Sequence, residues 1–157
     1  MNRCECRTCP QDAHETVSVC GGLACHAQSR PVTARTMLLM LKPEFFDQVG
    51  DRRYRFCASP DCPVVYFYED HRFTVNDLRV RVGLKEKHDP IPLCYCFGFN
   101  DEDVRREFRT QRRTTILDRI KSLVKEGMCA CEERNPSGTC CLGDVARVVE
   151  RLMQEEK

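Results

Sequence analysis

The spacing of hydrophobic and polar positions changes along the chain, and the changes mark out its elements. Residues 34–41, Ala-Arg-Thr-Met-Leu-Leu-Met-Leu, predict a short helix, with Thr33 placed to cap it and Pro43 to end it. Arg53-Tyr54-Arg55-Phe56 alternates polar and aromatic side chains as a half-buried strand does. Val64-Val65-Tyr66-Phe67-Tyr68 reads as the returning strand, and the Ser-Pro-Asp centre of Cys57-Ala58-Ser59-Pro60-Asp61-Cys62 is turn chemistry between them. Leu78, Val80 and Val82 alternate with arginines and predict a third strand with one apolar face. Residues 84–93 are a hydrophilic connector stiffened by Pro90 and Pro92. His71 and His88, set among charged loop residues, are expected in solvent.

Beyond Cys96 the period becomes helical. Asn100 can cap a helix whose first turn holds Asp101, Glu102 and Asp103, acids that complement the helix dipole. Val104 and Phe108 mark its inner face. Thr115 with Asp118 has the form of a capping box, Ile116, Ile120, Leu123 and Val124 make an apolar stripe, and Gly127 is placed to stop that helix. Asn135-Pro136-Ser137-Gly138 predicts a turn, and a last helix runs from about Asp144 to Gln154 with Val145, Val148, Val149 and Leu152 on one face. The fold class expected is therefore α+β: a polar, flexible, cysteine-containing tail over residues 1–19, a small β-rich subdomain over 20–88, and an α-helical subdomain over 89–157.

Composition sharpens this picture. The net charge of +1 offers no basic footprint for nucleic acid. The arginines at 105, 106, 109, 112 and 113 are offset by neighbouring acids and read as a solvated helix face. The longest apolar run, Met37 to Leu41, is far too short to insert in a bilayer. Residues 1–15 are charged and lack an apolar signal core, so a cytoplasmic location is expected. Thirteen cysteines in such a chain point to metal rather than disulfides, because cytosolic thiols are kept reduced and all but Cys9 arrive in pairs.

Two cysteine sets stand out. Cys20 and Cys25, then Cys57 and Cys62, form two Cys-x4-Cys turns that can supply four thiolates to a mononuclear ion. Zinc suits such a closed structural set, and mononuclear iron is also allowed. Glycines at 21 and 22 let the first turn fold tightly, and His26 reads as a surface neighbour. Further on, Cys94-Tyr95-Cys96-Phe97-Gly98 precedes a helix start, and Cys129, Cys131, Cys140 and Cys141 follow one helical hairpin later. A Cys-x-Cys pair on extended backbone projects both thiols the same way, and a [2Fe-2S] cluster takes four thiolates, two per iron. The positive end of the following helix would stabilise the cluster's negative charge, and Gly98 would let the backbone approach it. Zinc in this set is the alternative, since spacing does not separate the two metals. Cys4, Cys6, Cys9 and His14 in the tail could bind a soft ion such as Cu(I).

Five stretches carry a resemblance. They are Arg-Pro-Val-Thr-Ala-Arg-Thr at 30–36, Tyr-Arg-Phe-Cys-Ala-Ser-Pro-Asp-Cys-Pro-Val-Val-Tyr-Phe at 54–67, Arg-Val-Arg-Val-Gly-Leu-Lys-Glu at 79–86, Cys-Tyr-Cys-Phe-Gly at 94–98, and Cys-Ala-Cys-Glu-Glu-Arg-Asn-Pro-Ser-Gly-Thr-Cys-Cys-Leu-Gly at 129–143. Over residues from about 20 to 150 the chain resembles the N-terminal domain of CopZ-type copper chaperones. Its C-terminal half also resembles the helix–turn–helix of bacterioferritin-associated ferredoxins. The resemblance implies a zinc site and a [2Fe-2S] cluster. Carried over residue by residue, zinc falls on Cys25, Cys57 and Cys62, with Cys20 the nearest candidate for the fourth ligand. Cys20 departs from the family spacing, which would put that thiol closer to Cys25, where this chain has Gly22. The cluster falls on Cys94, Cys96, Cys131 and Cys140, with Cys141 and Cys129 as alternates. Full-length chaperones of this type carry a Met-x-Cys-x-x-Cys copper loop. These 157 residues contain none, so copper delivery by that loop is not expected here.

The function expected is one-electron transfer linked to copper handling, either reduction of Cu(II) to Cu(I) or support of a chaperone. The partners would be a copper chaperone, a copper exporter or a redox protein. The alternatives are a ferredoxin serving another reductase or iron release, and a structural zinc interaction module. No Ser/His/Asp arrangement points to a hydrolase, and closed tetrathiolate zinc leaves no position for water.

Overall fold

The computed structural model describes residues 29–157, and the chain divides into two units, residues 1–85 and 86–157. The described part of the first unit is built on a four-stranded antiparallel sheet: β1 (Ser29–Pro31), β2 (Arg55–Cys57), β3 (Val64–Tyr68) and β4 (His71–Thr74), in that order. Helix α1 (Ala34–Met40) lies between β1 and β2 in sequence. Its start follows from Thr33, whose hydroxyl accepts the Thr36 N–H at 3.1 Å. Pro43 does end the helical run, and it also opens a 3-10 segment over Pro43–Gln48.

Met37, Leu41, Tyr54, Phe56, Tyr66 and Phe73 anchor the core beneath the sheet. A register shift between Val64 and Tyr66 puts Val65 and Tyr66, adjacent in sequence, into that same core. One extra residue in a strand breaks the alternation of faces in this way. Val64 and Phe67 pack instead with Cys57 and Cys62 in a separate cluster.

The third strand of the hairpin set is not where the alternation at 78–82 predicts it. β4 occupies His71–Thr74, and Tyr68 pairs directly with His71 across two residues, with Glu69 at φ +49°. So short a connection costs little closure entropy, and it outcompetes a more distant partner. Leu78 makes only an isolated bridge to Leu41, although Leu78 and Val82 are still buried in the core. β1 has no apolar alternation: it is short, polar and ends in proline, as an edge strand can.

The second unit opens with the hairpin β5 (Pro92–Cys94) and β6 (Phe99–Asn100), then turns helical. α2 (Asp101–Gln111), α3 (Ile116–Lys125), a single turn α4 (Cys131–Arg134) and α5 (Leu142–Glu155) follow. Val104, Ile116, Ile120, Val145, Val149 and Leu152 fill their shared core. Asn100 and Asp103 cap α2 reciprocally, side chain to backbone, at 3.0 and 3.1 Å. Gly127 ends α3 at φ +74°: its N–H reaches the Val124 carbonyl and that of Met128 reaches Leu123, each at 3.0 Å, closing the pattern that glycine favours.

The capping box expected at Thr115 and Asp118 does not form. Glu107 of α2 takes that role, accepting the Thr115 N–H at 2.7 Å and the Thr114 hydroxyl at 3.0 Å. A carboxylate from the preceding helix thus satisfies the open end of α3. Arg106 of α2 pairs within its own helix with Asp103, whereas Arg105 reaches Glu155 and Glu156 at the end of α5 and Arg109 reaches Glu156. Among the described residues no helix is long and apolar enough to cross a membrane.

Candidate metal centres

The eight described cysteines are all free thiols, and six of them are buried. In the first unit Cys57 closes β2 and Cys62 precedes β3, so the hairpin brings both ends of the six-residue turn together. The Cys62 N–H bonds back to the Ser59 carbonyl at 3.4 Å. Burial pushes the Cys62 thiol above its usual pKa, and its bond to Cys57 adds to the effect. The Val64 N–H and the charge of Lys85 act the other way. Cys20 and Cys25, the other half of the predicted set, lie outside the described residues, as do Cys4, Cys6, Cys9, His14 and His26.

In the second unit the helical hairpin returns the later thiols to the earlier ones. Cys94 ends β5, and the turn that follows is held by the Gly98 N–H on the Cys94 carbonyl at 2.9 Å. Gly98 sits at φ +72°, and a Cβ there would meet nothing within 4 Å. The left-handed turn by itself calls for glycine here.

After α4 the chain reverses through a turn built on Asn135. Its side-chain oxygen accepts the Ser137 N–H at 3.1 Å, its amide donates to the Thr139 carbonyl at 2.8 Å, and Gly138 takes φ +67°. That turn brings the start of α5 back beside the start of α4.

Four sulfurs converge there in one linked set. Cys96 and Cys131 lie 3.6 Å apart. The Cys141 thiol donates to Cys94, and it also bonds Cys131. Two thiolates bound at about 2.3 Å to one tetrahedral ion stand about 3.8 Å apart, and Cys96 and Cys131 are already close to that spacing. Among the described residues no three Cys, His, Asp or Glu side chains are already arranged to hold a single ion.

Backbone N–H groups point at the sulfurs. Ala130 N–H donates to Cys96 Sγ at 3.2 Å, that of Cys141 to Cys131, and those of Phe97 and Cys96 to Cys94. The bond from Cys141 lowers the Cys94 pKa to about 6 against the effect of burial, aided by the two backbone donors. Cys141 is pushed up by giving that bond and by burial, and burial with the Cys96 contact raises Cys131 to about 11.

The sequence reading favours Cys140 over Cys141, and the side chains are arranged the other way. Cys141 is 4% exposed and meets Cys94 and Cys131, whereas Cys140 faces solvent. The physical reason is helix phase: Cys141 stands immediately before α5, whose Val145 and Val149, four and eight residues on, are core residues. That periodicity was present in the sequence and points to Cys141. Cys129 is half-buried and packs at the margin of the same cluster.

His71 also departs from expectation. It is half-buried, with Nδ1 accepting from the Tyr54 hydroxyl at 2.5 Å and facing an Arg52 guanidinium nitrogen at 3.2 Å.

With this geometry in view, likeness to known proteins can be placed on it. Residues 22–79 match a family described as a zinc binding domain, of the CopZ type. That span contains Cys25, Cys57 and Cys62, while Cys20 falls just before it. Over 91 residues the chain is 33% identical to the copper chaperone CopZ of Archaeoglobus fulgidus, covering 56% of this chain and 42% of that protein. It therefore spans less than half of that relative's length. The X-ray structure of the Archaeoglobus fulgidus CopZ N-terminal domain superposes with a TM-score of 0.64 at 27% identity, over 79% of this chain and 93% of that one. The chain is thus similar to the N-terminal domain of a CopZ-type copper chaperone, and its first unit carries the match to the zinc binding domain.

Proposed function

We propose that this chain is a two-metal, copper-handling redox protein, with zinc held by the first unit and a [2Fe-2S] cluster by the second. Cys57 and Cys62, with Cys20 and Cys25, would hold the zinc. Cys94, Cys96, Cys131 and Cys141 would hold the cluster. The observation that carries the reading is the meeting of these last four thiols in one linked set, Cys94 to Cys141 to Cys131 to Cys96, with Cys96 and Cys131 3.6 Å apart. A diiron core takes four thiolates, two per metal, and these sulfurs supply that number.

When bound, such a cluster supplies a one-electron redox centre. The chain's own part is to fix the four sulfurs and direct backbone N–H dipoles at them. It also keeps bulk water away, since all four cysteines are buried. All four must be thiolates for a metal to bind, so loading displaces the protons that Cys131 and Cys141 still hold. Likeness to a copper chaperone supports copper as the object of the redox step: reduction of Cu(II) to Cu(I), the form that soft thiolates of a chaperone or exporter accept. The electron would come from a redox partner protein.

Protein purified anaerobically is expected to contain about two irons and two sulfides per chain, and zinc besides. It should show thiolate-to-iron absorption in the visible and a paramagnetic signal on one-electron reduction. The reduced protein should then convert Cu(II) to Cu(I) in the presence of a Cu(I) indicator. Zinc alone, without sulfide, would overturn the cluster reading. A loaded cluster that reduces an iron-storage partner and leaves Cu(II) untouched would favour the ferredoxin reading instead.

A further inference from the structure

Lys85 ends the described first unit in a 3-10 turn over Gly83–Lys85, and it is only 9% exposed. Its ammonium donates to the Ser59 carbonyl at 2.7 Å and to the Cys62 carbonyl at 2.9 Å. Both carbonyls belong to the turn that presents Cys57 and Cys62. The lysine side chain therefore reaches across from residue 85 and clamps that turn, using two of its three N–H bonds.

No carboxylate contacts this ammonium among the described residues, and that is unusual for a buried cation. Buried charges are kept when something of opposite sign faces them. The groups within the turn that can carry negative charge and are themselves buried are the two thiols. A divalent ion with four thiolates keeps a net double negative charge, which needs a nearby positive group when it is taken out of water. Lys85 stands six residues beyond the span matched to the zinc binding domain.

We infer that Lys85 is the positioning residue of the first unit's metal turn: it holds the Ser59 and Cys62 carbonyls so that both thiols face one ion, and its fixed charge offsets that of the metal–thiolate group. The inference rests on the assignment of Cys57 and Cys62 to zinc proposed above. Lys85 touches the turn and not the metal, so it acts through the ligands.

The test compares wild type with Lys85→Met, which keeps the apolar stem, and Lys85→Arg, which keeps the cation. Zinc transfer to a chromophoric chelator is measured, together with the thermal midpoint of each protein with and without zinc. The expected result for K85M is zinc loss at least about tenfold more readily than wild type, the scale on which groups behind metal ligands act. The rise in midpoint that zinc confers should shrink in step, since that rise reports binding to the folded state. K85R should recover most of both. Zinc retention in K85M within about twofold of wild type overturns the inference, and so does a midpoint lowered equally with and without zinc. If K85M does not fold, Lys85→Gln against K85R separates charge from packing in the same way: equal zinc retention in those two overturns the charge role. Wild type that binds no zinc would defeat the ligand assignment, and the inference with it. The wild-type control tells that result from failure of the lysine's role alone.

Discussion

Replacing Cys141 by serine, with Cys140→Ser as its pair, is the most direct probe of the second unit. Cys141 is 4% exposed, and its thiol bonds those of Cys94 and Cys131. Serine keeps the shape but offers a harder oxygen, with a metal bond shorter by about 0.1–0.3 Å, to a site that suits soft sulfur. Changing even a group behind a ligand costs about 10–100-fold in metal affinity, which corresponds to about 1.4–2.7 kcal/mol. Removal of the ligand atom itself should cost at least that. Cys140 is exposed, and surface substitutions usually fall within about 0.5 kcal/mol, or about a factor of two. The assay is anaerobic reconstitution, with iron and sulfide counted per chain, visible absorption, and the rate of iron loss to a chelator. Far-UV circular dichroism checks that both variants keep their helices. C141S should lose iron at least about tenfold faster than wild type, and C140S should match wild type within about twofold. Iron lost from C140S and retained in C141S would refute the arrangement of sulfurs described above.

Other outcomes follow from particular contacts. His71 has a pKa lowered by burial and then by Arg52, and its Nδ1 serves as an acceptor facing two donors. Its contribution is therefore present above the ordinary value of 6.5 and is lost as pH falls below it. Denaturant titrations at pH 7.5 and 5.5 should show a larger loss in wild type than in His71→Phe; equal slopes would refute this. Burial acts to raise the Glu107 pKa, but bonds from the Thr115 N–H and the two threonine hydroxyls outweigh it and the net shift is downward. Its stabilisation is thus present above the ordinary value of 4.5 and disappears as pH falls through the lower folded value. Glu107→Ala should destabilise the second unit by about 1–2 kcal/mol, read from the thermal midpoint. Gly98→Ala should cost about 1–2 kcal/mol through the backbone alone, because the φ of +72° is unfavourable while the space around it is open. A loss well beyond that would mean the side chain meets something the chain itself does not supply.

Local signals in the sequence were enough to decide several elements. The cap at Asn100, the stop at Gly127, the helix opened by Thr33 and the strand Val64–Tyr68 all depend on residues within a few positions of one another. Such interactions are readable because their partners are neighbours in the chain. Thirteen cysteines, twelve of them in close pairs, spoke for metal chemistry by number and spacing alone. What lay beyond the sequence reading had a distant partner or a choice between equals. The β4 pairing was won by a two-residue turn that carries no glycine or asparagine signal. Glu107 capped α3 from another helix, and no local pattern announces that.

The selection among neighbouring thiols shows the division most clearly. Cys140 and Cys141 are chemically identical and adjacent, so composition and cysteine spacing cannot rank them. The helical period through Val145 and Val149 favours Cys141, and the packing of α5 turns that thiol inward. Lys85 is the same case in reverse. As a sequence position it is one of 25 basic residues, and only the folded chain carries it to the carbonyls of the turn that bears Cys57 and Cys62. The sequence by itself determined which chemistry the chain could offer and where α1 and α2 begin and α3 ends. Tertiary structure decided which atoms meet, because burial and contact depend on the way segments distant in the chain pack together.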